Sequence, residues 1–201
     1  MKTLILYCSK SNGNTKKLVD AIVAEHPEVD TIDATTLPKD ATVDFSQYHL
    51  IGLASGIYYG KFDKSVSRVA EASMRDGDFV FGLMTYGADM GEYTQDLADM
   101  CRRKQATLLG VYGCRGYSDF ALLKPAAAGL RDHPNEKDIQ GAVDYFNEIE
   151  EKYDAFLVDQ RELRDKRDAY DAAHKVDPVQ SVKQLGRNIS NKVKSWTSKK
   201  E

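Results

Sequence analysis

Residues 7–17 read YCSKSNGNTKK, a polar stretch that joins an apolar run to an amphipathic one. The run before it, TLILY at residues 3–7, is typical of a buried strand, and apolar side chains recur at helical spacing from Leu18 to Ile22. Three hydroxyls, two side-chain amides and one glycine lie between the predicted strand and helix. The stretch is therefore either an ordinary capped turn or a loop that binds an anion through the amide groups at the start of the helix.

The same alternation of short apolar runs and amphipathic stretches continues along the chain. The apolar runs lie at residues 2–7, 29–33, 48–54, 79–84 and 107–112. This alternation predicts an α/β fold, a doubly wound five-stranded parallel sheet with flanking helices. The last helix of the domain is predicted to begin near Asn135. Because ligands bind such sheets at the carboxyl ends of the strands, the loops after the first, third, fourth and fifth strands are the candidate functional loops.

The composition is that of one folded domain of ordinary size, with 201 residues, 42% hydrophobic and 29% charged, and a net charge of −3. No apolar run approaches the roughly 20 residues that cross a bilayer, so we expect a cytoplasmic protein without a signal peptide. The three cysteines and four histidines show neither disulfide nor metal spacing. We expect no metal site, reduced and buried thiols, and histidines in surface or capping positions.

The first loop has the chemistry of a phosphate site. Backbone N–H groups at the start of a helix carry partial positive charge, and the hydroxyls of the loop add hydrogen-bond donors. Neither a Walker nor a dinucleotide-binding glycine pattern follows the first strand, which disfavours nucleoside triphosphate hydrolysis. The predicted phosphate-binding residues are Ser9, Lys10, Ser11, Asn12, Gly13, Asn14 and Thr15.

The order of Ser9, Ser11, Gly13 and Thr15 after an aromatic-ended strand resembles the flavodoxin family. The family pattern is [ST]-x-[ST]-G-x-T followed by a helix, and Asn12 makes the loop one residue longer here. The resemblance implies a flavodoxin-like fold in which this loop holds the phosphate of non-covalently bound flavin mononucleotide (FMN).

The resemblance covers residues 1–153 and places two further loops beside the flavin ring. The third-strand loop contains SGIYYGKF at residues 55–62, in which Tyr58 or Tyr59 would stack on the ring; alternatively, one packs into the core and the other lies on the surface. The fourth-strand loop, TYGADMGEY at residues 85–93, would bind the polar edge of the ring through backbone amides. The residues predicted to flank the flavin are Ser55, Gly56, Tyr58, Tyr59, Gly60, Thr85, Tyr86, Gly87, Asp89 and Tyr93.

The fifth-strand loop contributes one charged candidate, Arg115. In a flavodoxin-like site, Arg115 would balance an anionic reduced flavin or grip a substrate. The alternative is a simple ion pair with Asp119 or Asp132.

Residues 154–201 form a predicted helical extension of the FMN-binding domain. Residues 154–174 place Phe156, Leu163 and Tyr170 seven positions apart among alternating charges. Three apolar positions are too few for a coiled coil and favour an exposed or partner-facing helix.

A break at Asp177-Pro178 leads to a second predicted helix, which is apolar at intervals of three and four residues from 179 to 196. Residues 179–200 also carry most of the basic charge of the tail, so this face suits docking on the domain, on an acidic partner or on an anionic membrane. Residues 1–153 hold 17 Lys and Arg against 23 Asp and Glu, a net charge of −6, which disfavours nucleic acid as a partner.

The function that the flavodoxin resemblance implies is electron transfer through bound FMN, to or from a redox partner protein or a small-molecule acceptor. The chain would be either an electron carrier or a small FMN-dependent oxidoreductase, with no catalytic side chain of its own. A flavin-free adaptor of the same fold is one alternative, motivated by the lengthened first loop and by the C-terminal extension. A membrane-surface oxidoreductase acting on a quinone or porphyrin is the other, motivated by the basic tail.

Overall fold

The computed structural model describes residues 1–87, 93–117 and 131–174. The chain divides into two compact units, Met1–Asp159 and Gln160–Glu201. The first unit contains the sheet and the loops of interest, and the second is described below only through residue 174.

Strands and helices alternate along the first unit as the apolar runs predict. The elements are β1 (Thr3–Cys8), α1 (Asn14–Glu25), β2 (Asp30–Asp33), β3 (Leu50–Tyr58), β4 (Lys61–Phe62), α2 (Lys64–Ser73), β5 (Phe79–Tyr86), α3 (Gln95–Arg103), β6 (Thr107–Arg115) and α4 (Glu136–Ala173), with a short 3₁₀ helix at Phe45–Gln47.

Five strands form a parallel sheet in the order β2-β1-β3-β5-β6, and the two-residue β4 pairs antiparallel with the end of β3. This confirms the predicted doubly wound five-stranded sheet. The chain moves outward from β1 to β2 and then back across β1 to β3, so the strand order reverses between β1 and β3. In open α/β sheets, the crevice at such a reversal is where ligands bind.

The sheet is buried on both faces, because helices cover each side. Leu4 and Leu6 of β1 belong to the apolar layer beneath α2 and α3, which includes Val69. Ile5, between them, points to the opposite layer beneath α1 and α4, which includes Phe146. This alternation explains why the central strands read as continuous apolar runs.

The strands β3, β5 and β6 extend two to four residues beyond the apolar runs that predict them. Gly56 of β3 pairs with Thr85 of β5, and Tyr58 pairs with Lys61 of β4. Ladder hydrogen bonds thus carry the strands into polar sequence that the hydrophobic pattern does not mark. As a result Ser55, Tyr58, Thr85 and their neighbours lie at strand ends rather than in the predicted loops.

Helix α4 begins directly after Asn135, as predicted. The side-chain oxygen of Asn135 accepts a hydrogen bond from the backbone N–H of Asp138 at 3.1 Å, and the Asp138 carboxylate accepts one from the Asn135 N–H at 2.9 Å. This reciprocal pair is a capping box, which satisfies two otherwise unpaired donors at the helix start.

The last turns of α4, in the second unit, form the exposed helix that the charge pattern predicts. Leu163 and Tyr170 are exposed, and Arg161 pairs with Asp165 one turn away at 2.7 Å. Residues 175–201, with the predicted basic amphipathic helix and the Asp177-Pro178 break, lie outside the described residues. Among the helices of the described part, none has the length and hydropathy to cross a membrane.

Candidate functional site

The carboxyl ends of β1, β3, β5 and β6 form one continuous edge of the sheet. The register pairs Cys8 with Ser55, Gly56 with Thr85, and Thr85 with Cys114. The strands therefore bring the first, third, fourth and fifth loops together, at the edge where the strand order reverses.

The first loop makes room for its additional residue by a tight turn. Asn12 and Gly13 both have positive φ, 52° and 67°, and the Asn14 N–H donates to the Ser11 carbonyl at 3.1 Å. Two consecutive left-handed residues are the signature of a type I′ turn, for which Asn-Gly is the preferred sequence. The insertion of Asn12 is thus absorbed before α1 begins at Asn14.

The turn positions backbone amides at the start of α1. The Lys16 N–H already has a partner, the Ser9 hydroxyl oxygen at 3.1 Å. For the N–H groups of Asn12, Gly13 and Thr15 we find no partner within residues 1–87, 93–117 and 131–174. These amides, with the partial positive charge of the helix end, suit an anion.

Two buried side chains of the first turn of α1 tie the first loop to its neighbours. The Thr15 hydroxyl lies 2.9 Å from the Thr85 hydroxyl at the end of β5. The Asn14 side-chain amide donates to the Tyr117 carbonyl of the fifth loop at 2.6 Å. Gly116 allows this approach, because a Cβ there would lie 2.7 Å from the Asn14 amide nitrogen. These residues therefore fix the relative positions of three loops.

The third loop is a two-residue hairpin that separates its adjacent tyrosines. Tyr59 and Gly60 have φ of 52° and 81° between the paired residues Tyr58 and Lys61. Tyr59 is 91% exposed, whereas Tyr58 is half-buried and its hydroxyl accepts a hydrogen bond from the Lys10 N–H at 3.2 Å. One aromatic ring thus leans on the first loop while the other projects from the hairpin tip.

The cation of the first loop is neutralised by a carboxylate. The Lys10 ammonium lies 2.6 Å from the Asp63 carboxylate, which also accepts the Ser65 N–H and so caps α2. Burial by itself raises the pKa of Asp63, but hydrogen bonds from Lys10 and Ser65 outweigh burial and hold that pKa at about 2. Positive potential at the first loop therefore comes mainly from the backbone amides.

The Asp63 contacts predict a measurable acid sensitivity. A carboxylate whose folded pKa lies below its ordinary value stabilises the fold above pH 4, and this contribution is lost as the pH falls towards 2. We expect Asp63→Asn to lower the free energy of unfolding by about 1–2 kcal/mol at pH 7 and by no more than about 0.5 kcal/mol at pH 2, where folded Asp63 is about half protonated. Urea titrations across this pH range measure the difference. Asp20→Asn, which removes an exposed carboxylate paired with Lys16, is the control, with an expected change within about 0.5 kcal/mol; an equal loss in both variants would contradict the assignment.

The fourth and fifth loops are described in part. The Tyr86 and Tyr93 rings lie 5.6 Å apart at 41°, and the Gly116 N–H donates to the Tyr86 carbonyl at 3.0 Å. Tyr86, Gly87 and Tyr93 thus stand on the same edge as the first loop, and Arg115 is exposed beside them at the end of β6. Residues 88–92, which include the predicted Asp89, and residues 118–130, which include Asp119, lie outside the described residues.

The two cysteines at this edge, Cys8 and Cys114, are buried and unreactive. Burial raises the pKa of Cys8 to about 11 and that of Cys114 to about 12. Both are therefore thiols rather than thiolates at neutral pH, and a thiol is a poor nucleophile and metal ligand. They fill space in the core, as expected from the sequence.

Two contacts of the site, Lys10 with Asp63 and Asn14 with Tyr117, were not predicted from the sequence. Asp63 carries the signal of an N-cap, because an acidic residue directly precedes the helical stretch that starts at Lys64. Its pairing with Lys10 and the backbone contribution of Tyr117 have no local signal, since the partners are 53 and 103 residues apart in the sequence.

Two curated proteins are similar to this chain over most of their length. An uncharacterised protein of Methanocaldococcus jannaschii is 30% identical over 151 residues, which are 74% of this chain and 98% of that protein. The flavodoxin-like domain-containing protein BilS of Clostridioides difficile is 27% identical over 167 residues, covering 71% of this chain and 92% of BilS. No family model matches the chain.

Solved structures share the fold. Oxidised flavodoxin 1 from Bacillus cereus superposes with a TM-score of 0.56 at 14% identity, covering 76% of this chain and 99% of that one. General stress protein 14 of Treponema denticola, solved in complex with FMN, gives a TM-score of 0.53 at 11% identity and covers 74% and 99%. Its strand order and these solved structures show that the chain has the flavodoxin fold, and BilS is a flavodoxin-like sequence relative.

Proposed function

We propose that the chain binds FMN non-covalently at the carboxyl edge of its sheet and carries electrons through it. The observation that supports this most strongly is that backbone amides suited to an anion and an aromatic hairpin lie on the same edge of the sheet. The amides of Asn12, Gly13 and Thr15 lie at the start of α1, and the Tyr58–Gly60 hairpin rises from the neighbouring strand β3. A phosphate needs the first feature and a flat aromatic ring needs the second.

The phosphate end of FMN would lie in the first loop. The residues available to hold it are the backbone amides of the Asn12-Gly13 turn and of Thr15, with the hydroxyl of Ser11 beside them. Because Asp63 neutralises Lys10, the loop attracts a phosphate through oriented amides rather than through a mobile ammonium. The Thr15–Thr85 and Asn14–Tyr117 contacts keep these amides in place, so little ordering would accompany binding.

The ring end of FMN would lie between the third and fourth loops. Tyr58 and Tyr59 on one side, and Tyr86 and Tyr93 on the other, supply flat apolar surfaces at the height of the strand ends. FMN, when bound, supplies the electron chemistry itself. The chain contributes orientation and exclusion of water, and Tyr59 at the exposed hairpin tip lies where a redox partner could approach.

The flavin-free adaptor is less well supported than the carrier. One of its two motives was the additional residue Asn12. The turn at Asn12 and Gly13 accommodates that residue while leaving amides without a protein partner in the described part of the chain. The T. denticola neighbour, solved with FMN on the same fold, is consistent with the carrier.

A carrier must hold its flavin in both oxidation states, and this requirement gives the test. The protein would be loaded with FMN, reduced anaerobically with dithionite, passed through an ultrafilter and then reoxidised with ferricyanide. We expect the flavin to stay with the protein at each step and the oxidised absorption spectrum to return in full. Release of most of the flavin on reduction would contradict an electron-carrying role even if oxidised FMN binds.

A further inference from the structure

A second cluster of ligand-type side chains lies at the opposite end of α1. His26 follows the last residue of this helix, and Glu28 lies in the turn that the Val29 N–H closes on the His26 carbonyl at 3.0 Å. Glu150 faces them from α4. The 12-residue helix α1 separates the cluster from the first loop by about 18 Å, so the cluster is independent of the proposed flavin site.

The three ligand atoms have the spacing of a metal site. The His26 Nδ1 atom lies 3.1 Å from a Glu150 carboxylate oxygen and 3.5 Å from one of Glu28, and all three atoms lie within 4.8 Å of one another. Zinc bonds to nitrogen and oxygen of about 2.0–2.2 Å place tetrahedral ligands about 3.3 Å apart. Two of the three separations therefore already match a coordination tetrahedron.

The hydrogen bonds of Asn147 determine which nitrogen of His26 is left to face the carboxylates. The Asn147 side-chain nitrogen donates to Glu25 at 2.8 Å, so its oxygen faces His26 Nε2, at 2.6 Å. An amide oxygen only accepts, so Nε2 carries the hydrogen. The Nδ1 atom of His26 therefore faces the two carboxylates and is the ring nitrogen available to coordinate a cation bound between them.

The surroundings favour a cation at this place. The carboxyl end of α1 carries partial negative charge, and Glu25 adds a further carboxylate beside His26. The His26 side chain is only 14% exposed and its ring packs edge-on against Phe146, which fixes its orientation. Within the described residues, the positive groups that act on the Glu150 carboxylate are His26 and the amino terminus, and the amino terminus pairs with Asp154 at 2.9 Å.

We propose that His26, Glu28 and Glu150 bind a divalent transition-metal ion of the zinc class, with a fourth position open to water. One imidazole and two carboxylates form a borderline ligand set that suits zinc better than magnesium or calcium, which prefer oxygen ligands alone. The ion joins the end of α1 to α4 and so acts as a structural clamp. No metal-ligand spacing in the sequence marks this site, since its ligands come from positions 26, 28 and 150.

Calorimetric titration of the full, tag-free chain with zinc chloride tests the proposal. We expect one ion per chain and a rise in the thermal midpoint on binding, since the ion binds only the folded arrangement. Glu150→Gln and His26→Gln should each weaken zinc binding at least tenfold, and Asn147→Ala, which removes the acceptor of the Nε2 hydrogen, about tenfold or more.

His174→Gln is the matched control, because it removes an exposed histidine elsewhere in the chain and should leave the affinity unchanged. FMN binding should be the same in all four variants, which separates this proposal from the flavin site. The proposal is overturned if zinc does not bind, if it binds Glu150→Gln and His26→Gln as tightly as the parent chain, or if His174→Gln weakens binding equally.

Discussion

Phe146→Ala is expected to lower the free energy of unfolding by about 3–5 kcal/mol. Phe146 is fully buried on α4, where its ring lies 5.7 Å from that of Phe81 in β5 and 4.8 Å from that of His26. Alanine would leave a cavity between the helix and the sheet. The sheet cannot close it, because β5 is paired on both sides, with β3 and with β6.

Urea unfolding followed by circular dichroism measures this loss. Phe156→Ala is the control, because Phe156 lies on the same helix but is 47% exposed, with one edge-on contact to Phe79 at 5.5 Å. We expect it to cost about 1 kcal/mol or less. Comparable losses in the two variants would show that α4 does not pack on the sheet through Phe146.

Gly13→Asp is expected to weaken FMN binding by about 30- to 100-fold relative to Gly13→Asn. Both substitutions impose the same backbone strain at a φ of 67°, and a Cβ at Gly13 meets no atom within 4 Å. They differ in one negative charge beside the predicted phosphate position. Repulsion between the carboxylate that Gly13→Asp introduces and the FMN phosphate would cost about 2–3 kcal/mol at the dielectric constant of a protein surface.

The weaker FMN binding expected of Gly13→Asp should not be accompanied by lower stability of its apoprotein. Aspartate is a good N-cap and its charge favours the start of α1, so Gly13→Asp should be at least as stable as Gly13→Asn without flavin. Isothermal titration with FMN and thermal unfolding of the apoprotein measure the two effects. Equal FMN affinities for the two variants would place the phosphate away from the first loop.

The architecture could be predicted from the sequence because each of its causes is local. The apolar runs mark buried strands, and Asn135 marks the start of α4. The lengthened first loop also has a local cause, since Asn12-Gly13 is a preferred type I′ pair, although this turn was not predicted.

The contacts that join the loops could not be predicted in this way. Thr15 and Thr85 are 70 residues apart, and nothing near either residue marks its partner. Thr15 was predicted as a phosphate donor, and the structure places its hydroxyl against Thr85. The hairpin at Tyr59 likewise depends on the pairing of β3 with β4, and the two residues of β4, Lys61 and Phe62, are too short a run to give a strand signal.

The central claim is that the first loop holds the phosphate of FMN, and a comparison of FMN with riboflavin tests it most directly. Riboflavin has the same ring without the phosphate. Titration of the apoprotein, followed by quenching of flavin fluorescence, should show FMN binding at least about 100-fold more tightly than riboflavin, since hydrogen bonds to a charged group contribute about 1.5–3 kcal/mol each. Equal affinity for the two flavins, or no binding of either, would contradict the account.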